Sequence, residues 1–312
     1  MSLKVAIQMD HIESIDVDGD SSYVIALEAQ RRGHSLFHYQ PIGLSLVANR
    51  VVARGEAMEV RRGGDSHYSL GEQRIVDLGE MDVVLMRQDP PFNMAYITAT
   101  HLLELIHPET LVVNDPGSVR NAPEKLFMLR YPELLPPTMI SRDLLEIRAF
   151  RNKHKDIVVK PLFGNGGAGV FHLAPDDENL NALLEMFARI NPEPVMIQRY
   201  LPEVRQGDKR IILIDGVPLG GTNRVPRAGE ARSNMHVGGT AVKTQLTTRE
   251  HEICETIGDD LRAHGLLFVG IDVIGNYLTE INVTSPTGLQ EINRFDGTAL
   301  EGDIWDAIED QF

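Results

Sequence analysis

The stretch from Leu267 to Val283 constrains this chain more than any other. Two apolar runs, Leu267 to Ile274 and Leu278 to Val283, flank Gly275-Asn276, the composition of a tight hairpin turn. A two-residue loop would set Glu280 opposite Ile271 and Asn282 opposite Val269, which puts polar side chains on the apolar face. A three-residue loop that takes in Tyr277 pairs Ile271 with Ile281, Val269 with Val283, and Asp272 with Glu280. Because a one-residue slip turns every side chain over, the apolar alternation selects the second register. Asp272, Glu280 and Asn282 then share a face, with Glu280 and Asn282 about 6.5 Å apart along the strand. Two carboxylates and an amide carbonyl are hard oxygen donors, suited to magnesium held together with phosphates. The plainer alternative is a solvated hairpin face.

Thirty Lys and Arg against forty-five Asp and Glu give a formal charge of −15, which argues against nonspecific binding to nucleic acid or an anionic membrane. An anionic ligand must therefore be held by local clusters of Arg, Lys and metal. At 312 residues the chain suffices for two or three domains. The single cysteine, Cys254, excludes an internal disulfide and falls in a helical pattern with Ile253, Ile257 and Leu261, where packing is its expected role. Gln8 and Asp10 break the first apolar run, so it reads as a strand and not a signal sequence. No uninterrupted apolar run is long enough to span a membrane, and a cytoplasmic setting is expected.

From the N-terminus, strand and helix alternate. Leu3 to Gln8 is a strand, Ser21 or Ser22 caps a helix that runs through Arg32 to Gly33, and Leu36 to Tyr39 is the next strand. This order favours a mostly parallel sheet. His34 and His38 sit in a strand-like run, where a structural role is expected. Residues 50–75 show no clear period and fit a hairpin or an excursion. The buried-strand candidate ending in Arg87 runs into Gln88-Asp89-Pro90-Pro91-Phe92. Ligands of open parallel sheets lie beyond the carboxyl ends of strands, which places Arg87 and Asp89 at a substrate, with Arg87 suited to fork onto a carboxylate. A helix from about Met94 to Ile106 and a strand Leu111 to Asn114 follow, and Asp115-Pro116-Gly117 reads as a boundary. The helix expected over Ser118 to Arg130 carries Lys125.

Asp156 to Lys160 and Val170 to Leu173 read as strands around the loop Gly164-Asn165-Gly166-Gly167-Ala168-Gly169. The loop matches a dinucleotide fingerprint in letters, but a strand follows it where that fingerprint needs a helix. A glycine hairpin folding its amides over phosphates fits better, with Lys160 pointing at them. A helix to Ile190, a strand Val195 to Gln198 and a hinge at Arg199 to Glu203 come next; hinges between sheets are natural adenine slots. Asp208-Lys209-Arg210 enters another strand. Residues 222–245 hold Arg224, Arg227 and Arg232 among glycines, and a loop this long suits a lid. After the helix Thr247 to His264 and the opening hairpin, Thr287 is expected to cap a helix with Gln290 as its capping-box partner, its free amides facing an anion. Gly297 to Phe312 reads as a closing helix.

A glycine hairpin, a hinge, an Arg-rich lid and a carboxylate-Asn hairpin, in that order, resemble an ATP-grasp ligase. More closely, MRQDPPF, VNDPGSVRNAPEKLF, KPLFGNGGAG, GDKR and FVGIDVIGNYLTEINVTSPT resemble the prokaryotic-type glutathione synthetases over nearly the whole chain. The resemblance implies an N-terminal open parallel α/β domain, 1–121, followed by two α+β units that clasp the nucleotide, 122–199 and 200–312. It implies formation of glutathione from γ-glutamylcysteine and glycine with ATP cleaved to ADP and phosphate, two magnesium ions with manganese as a substitute, and a homotetramer.

Carried onto this sequence, the resemblance places Lys125, Lys160, Gly164, Gly166, Gly167, Gln198, Tyr200, Leu201 and Asp208 at ATP, with Asp208 on the ribose. Asp272, Glu280 and Asn282 would hold metal. Arg210, Arg224 and Lys160 would act on the transferred phosphoryl group, and Arg87, Asp89, Arg232, Ser285 and Thr287 on the other substrates. Gln290 stands where some members carry a basic residue. Another ATP-grasp peptide or amino-acid ligase, a noncatalytic nucleotide-binding regulator and a dinucleotide oxidoreductase are the competing readings.

Overall fold

Short apolar runs flanked by turn residues build three sheets in a computed structural model that describes residues 2–63, 66–164, 166–190, 192–229, 232–233 and 238–312. The first comprises β1 (Lys4–Gln8), β2 (Ser35–Tyr39), β3 (Leu44–Val47), β4 (Arg50–Val60), β5 (Tyr68–Asp77), β6 (Val83–Met86) and β7 (Leu111–Val113), with α1 (Ser21–Arg31) and α2 (Met94–Glu104) between strands. β2, β1, β6 and β7 are parallel, as the alternation predicts. The sheet is then extended by antiparallel strands, because β4 pairs with β2, β3 and β5. Residues 50–75 are thus largely a long hairpin. Its alternation was hidden because small residues, Ala53 and Gly55, share the inner face with Val51, Met58 and Val60. A Cβ on Gly55 would lie 2.1 Å from the His38 carbonyl oxygen, so only glycine permits this approach. Asp20, and neither serine, caps α1 by accepting from the Tyr23 amide at 2.9 Å.

The helix expected over 118–130 does not form. α3 (Pro116–Asn121) stops before Pro123, and a 3-10 turn follows at Phe127–Arg130, leaving Lys125 in the connection between them. The second sheet is antiparallel and holds β8 (Thr138–Ser141), β9 (Ile157–Pro161), β10 (Phe171–Leu173) and β11 (Val195–Arg199) in the order β10-β9-β11-β8. Against it lie α4 (Leu144–His154) and α5 (Leu180–Ile190), which bury Ile147, Leu183 and Phe187 on Ile157, Val159 and Ile197. β8 and α4 are elements the sequence reading did not anticipate.

The third sheet has the order β14-β13-β12-β15-β16, from β12 (Asp208–Ile214), β13 (Val217–Val225), β14 (Thr240–Lys243), β15 (Phe268–Ile274) and β16 (Tyr277–Asn282), with α6 (Thr248–Ala263) before β15. Ile271 faces Ile281 and Asp272 faces Glu280, as expected. The means differs: Ile274 pairs with Tyr277, so the turn has two residues, and a bulge beside Thr279 supplies the shift assigned to a longer loop. Thr247 and Glu250 form a capping box on α6, in which Cys254 is fully buried. Thr287 caps nothing; Gly288, at φ 116°, precedes α7 (Leu289–Asp296). Of the expected lid, Arg224 lies in β13 and 240–243 form β14, while 230–231 and 234–237 lie outside the described residues.

α8 (Leu300–Glu309) closes the chain onto its start: Trp305 Nε1 donates to the Ile25 carbonyl at 2.8 Å. Asn114, beyond β7, donates to the carbonyls of Phe268 and Val283 and accepts from the Phe268 amide, each at 2.8 Å. The first and third sheets are therefore fastened at the strand ends where ligands of such sheets bind. Among the described residues no helix is long and apolar enough to cross a membrane.

Candidate active site

Two cavities adjoin, sharing Glu124, Gly166 and Glu280 in their walls. The first lies between the second and third sheets and is lined by Lys125, Lys160, Gly164, Gly166, Gly167, Gln198, Tyr200, Leu201, Asp208 and Arg232. The second, of about 700 Å³, is lined by Arg87, Asp89, Arg210, Arg224, Asn282, Ser285 and Thr287. Of the residues that the resemblance places at ATP, metal or the other substrates, only Asp272 lines neither.

The junction concentrates charge. Lys125 Nζ donates to the Gly164 carbonyl at 2.7 Å and lies 3.1 Å from Glu124 and 3.4 Å from Glu280. Lys160 Nζ is 3.9 Å from the same Glu280 oxygen. Burial disfavours the Lys125 ammonium, but the Glu280 and Glu124 carboxylates outweigh it and raise its pKa. For Lys160 burial prevails, lowering its pKa against the pull of Glu280. Burial and the neighbouring Glu280 push Glu124 up to about 8. Glu280 is held below its ordinary value because Lys125 and Lys160 overcome its burial. Glu124 is a participant that sequence reasoning missed, since a glutamate before a lysine carries no pattern.

Asp272 faces Glu280 across the hairpin, but arginines occupy both of its oxygens. Arg210 donates to Oδ1 at 2.5 Å and to Oδ2 at 2.9 Å, and Arg224 Nη2 lies 2.9 Å from Oδ2. These cations, overcoming burial, hold Asp272 well below the usual carboxylate range. Arg224 also donates to Asp208 at 2.6 Å, and Ser233 Oγ donates there at 2.9 Å. Burial still pushes Asp208 up to about 6. Asn282 has a buried amide nitrogen without a partner among the described residues. Among the described residues no three His, Cys, Asp or Glu side chains group to hold a metal unaided. The oxygens of Glu280 and Asn282, with Asp272 behind them, instead suit a hard cation that takes its remaining ligands from phosphates.

Arg87 is 6% exposed and lies over the Phe268 ring at 5.1 Å. Its Nε donates to Ser22 Oγ at 2.9 Å and its Nη2 to the Pro286 carbonyl at 3.0 Å, while Nη1 is buried without a partner among the described residues. Ser285 Oγ donates to the Arg87 carbonyl at 3.4 Å, and the Thr287 carbonyl accepts from Arg210 at 3.2 Å. Thr287 thus contributes a carbonyl where a helix cap was expected. Arg232 donates to the Gly167 carbonyl at 3.3 Å, bringing the Arg-rich segment onto the glycine loop. Gln198 donates to Thr138 Oγ1 at 2.9 Å, and Tyr200 stacks on His172 at 3.9 Å. His172, another lining residue the sequence did not single out, is placed there by the pairing of β10 with β9.

Family models describe both parts of the chain. Residues 3–120 match the N-terminal domain of prokaryotic glutathione synthetase and residues 124–297 its ATP-grasp domain. The chain is 60% identical over 309 residues to the glutathione synthetase of Mesorhizobium japonicum, covering 99% of each protein. It is 42% identical over 320 residues to that of Synechocystis sp., covering 99% of this chain and 100% of the relative. The fold is shared with D-cycloserine synthetase DcsG, at a TM-score of 0.69 and 16% identity over 98% of this chain and 99% of that one. It is shared also with an ATP-grasp RimK domain protein from Sphaerobacter thermophilus, at 0.66 and 17% over 97% and 98%. The sheets that enclose the two cavities are those of an ATP-grasp protein, and the chain belongs to the prokaryotic glutathione synthetase family.

Proposed function

We propose that this chain joins γ-glutamylcysteine to glycine, cleaving ATP to ADP and phosphate through an acyl phosphate. The observation that carries the reading is the meeting of the two cavities at Glu280, with Lys125 and Lys160 on one side and Arg210 and Arg224 in the wall of the other. A carboxylate is a poor electrophile, and phosphorylating it creates a leaving group. Transfer needs negative charge neutralised where the γ-phosphoryl group passes between substrates, and the shared wall supplies that place.

In this scheme the first cavity takes ATP. Tyr200 and Leu201 lie along the adenine with Gln198, Asp208 meets the ribose, and Lys125, Lys160 and the amides near Gly164, Gly166 and Gly167 hold the phosphates. The second takes the acid and amine, with Arg87, Asp89, Ser285 and Thr287 around them, while Arg232, expected at the substrates, lies in the wall of the first cavity on the Gly167 carbonyl. Arg210 and Arg224 balance charge on the transferred group and then on the oxygen of the tetrahedral carbon. Magnesium, or manganese in its place, held by Glu280 and Asn282 with Asp272 behind them on its two arginines, would supply Lewis-acid neutralisation of phosphate oxygens. The walls of the three sheets keep water from the acyl phosphate. A cytoplasmic homotetramer belongs to the same reading.

The test is phosphate release from ATP with a panel of acid and amine pairs. Turnover with γ-glutamylcysteine plus glycine, yielding glutathione, is expected. Turnover that needs some other pair, with none for this one, removes the assignment.

A further inference from the structure

The loops that bound the two cavities come from different sheets, and an aromatic contact outside both cavities joins them. Phe163 stands at the entrance of the glycine loop, between Leu162, which is buried, and Gly164, which lines the first cavity. Phe92 lies in the segment from β6 to α2, two positions after Pro90, which lines the second cavity together with Asp89. The two rings face each other, their centroids 6.3 Å apart and their planes 19° from parallel. Neither ring lines either cavity, so the contact is not made for a ligand. Offset-stacked rings at this separation attract each other beyond what their buried area contributes.

Each ring is fastened to its own cavity. Phe92 packs on Tyr96 with centroids 5.1 Å apart, and Tyr96 is fully buried in the first turn of α2. Asn93 fixes that turn by accepting from the Ala95 and Tyr96 amides at 2.9 and 3.2 Å. On the other side, the carbonyl of Gly164, next to Phe163, accepts from Lys125 Nζ at 2.7 Å, and the Gly167 carbonyl accepts from Arg232 at 3.3 Å. Gly166, between these two holds, lines both cavities. Phe163 itself is 37% exposed, and the ring across the gap is its aromatic partner. A change that orders the glycine loop is thereby felt by the segment that carries Asp89 and Pro90.

We propose that Phe92 and Phe163 are positioning residues that couple the two cavities, so that filling one strengthens binding in the other. The inference rests on the proposed function, in which the first cavity takes ATP and the second the acid. Transfer between them requires loops from separate sheets to hold a common geometry, and a contact between those loops secures it. Coupling between two sites is reciprocal, so the acid tightens the nucleotide by the same factor as the nucleotide tightens the acid. The strength of an aromatic pair sets that factor at about 2- to 12-fold.

The experiment measures by calorimetry the Kd of β,γ-imido-ATP in magnesium buffer, with and without saturating γ-glutamylcysteine. In the wild type the acid is expected to lower that Kd by about 2- to 12-fold. Phe163→Ala should bring the ratio of the two constants to about one, while the Kd of the nucleotide alone stays within about twofold of the wild type. Phe163→Tyr, which keeps the ring, should keep the ratio. Phe92→Ala should lose the coupling as well, and the double variant should lose no more than either single one. A wild-type ratio near or below one, a ratio preserved in Phe163→Ala, or losses that add in the double variant overturn the coupling. Should Phe92→Ala fail to fold, the comparison of Phe163→Ala with Phe163→Tyr decides. A wild type that takes the nucleotide and does not bind γ-glutamylcysteine would remove the proposed function too, whereas independent binding of both ligands removes the coupling alone.

Discussion

Arg210 and Asp272 are register partners on adjacent strands, joined by two hydrogen bonds, Nε to Oδ1 at 2.5 Å and Nη2 to Oδ2 at 2.9 Å. Both are buried, and Arg224 completes the cluster. Asp272→Asn leaves two guanidinium groups facing an amide in a dry setting. We expect a loss of about 3 to 5 kcal/mol in stability, the cost of breaking a buried pair from one side, together with loss of turnover. Urea unfolding and phosphate release check this, and an unchanged unfolding midpoint would contradict it.

Glu280→Gln is expected to behave differently. Its neighbour Glu124 is pushed up to about 8 by burial and by the charge on Glu280. Once that charge is gone, Glu124 can ionise and balance Lys125, 3.1 Å away. Turnover should fall by more than about 100-fold while stability changes by less than about 1 kcal/mol. Full activity in this variant would refute the metal role assigned to Glu280.

The same carboxyl sets a pH dependence in metal-free buffer. Glu124 in the folded chain binds a proton that the unfolded chain, with an ordinary carboxyl near 4.5, has released by neutral pH. Where the folded state binds more protons, stability falls as pH rises. The unfolding midpoint should therefore decline between about pH 6 and about pH 8.5, and Glu124→Gln should flatten the slope. Asp208, pushed up to about 6 by burial, adds a decline of the same sign at lower pH. Asp272 acts oppositely, its contribution being lost only as pH falls below the ordinary carboxylate range. A midpoint that rises over the upper interval would contradict the assignment of the proton to Glu124.

Gln290→Ala removes the hydrogen bonds to Val17, Asp20 and Arg62. The 16–20 loop lines only the second cavity. KM for the acid should rise by about 5- to 50-fold, with KM for ATP unchanged. Equal changes in both constants would show that Gln290 serves general packing and not this loop.

Local pattern revealed much of this molecule and long-range fastening almost none. Apolar alternation fixed which residues of the 267–283 hairpin face each other, because any other register would bury Glu280 among Ile271 and its neighbours. The device that achieves it, a bulge beside Thr279, leaves no trace in composition. Pro123 stood in plain view within the helix expected over 118–130, and it is there that the helix stops. A hairpin over 50–75 was one of two readings, and composition did not decide for it because Ala53 and Gly55 are buried without being strongly apolar. Glu124 and the Gln290 bridge to Asp20 gain their meaning from residues more than a hundred positions away, which no local window contains.

The central claim is that the cysteinyl carboxylate of the acid attacks the γ-phosphoryl group at the wall shared by the two cavities. Labelling that carboxylate with oxygen-18 tests it most directly, by mass analysis of the phosphate released during turnover with ATP and glycine. One labelled oxygen in each phosphate is predicted, because the acyl phosphate leaves with the oxygen it was built on. Glutathione formed alongside unlabelled phosphate would contradict the account.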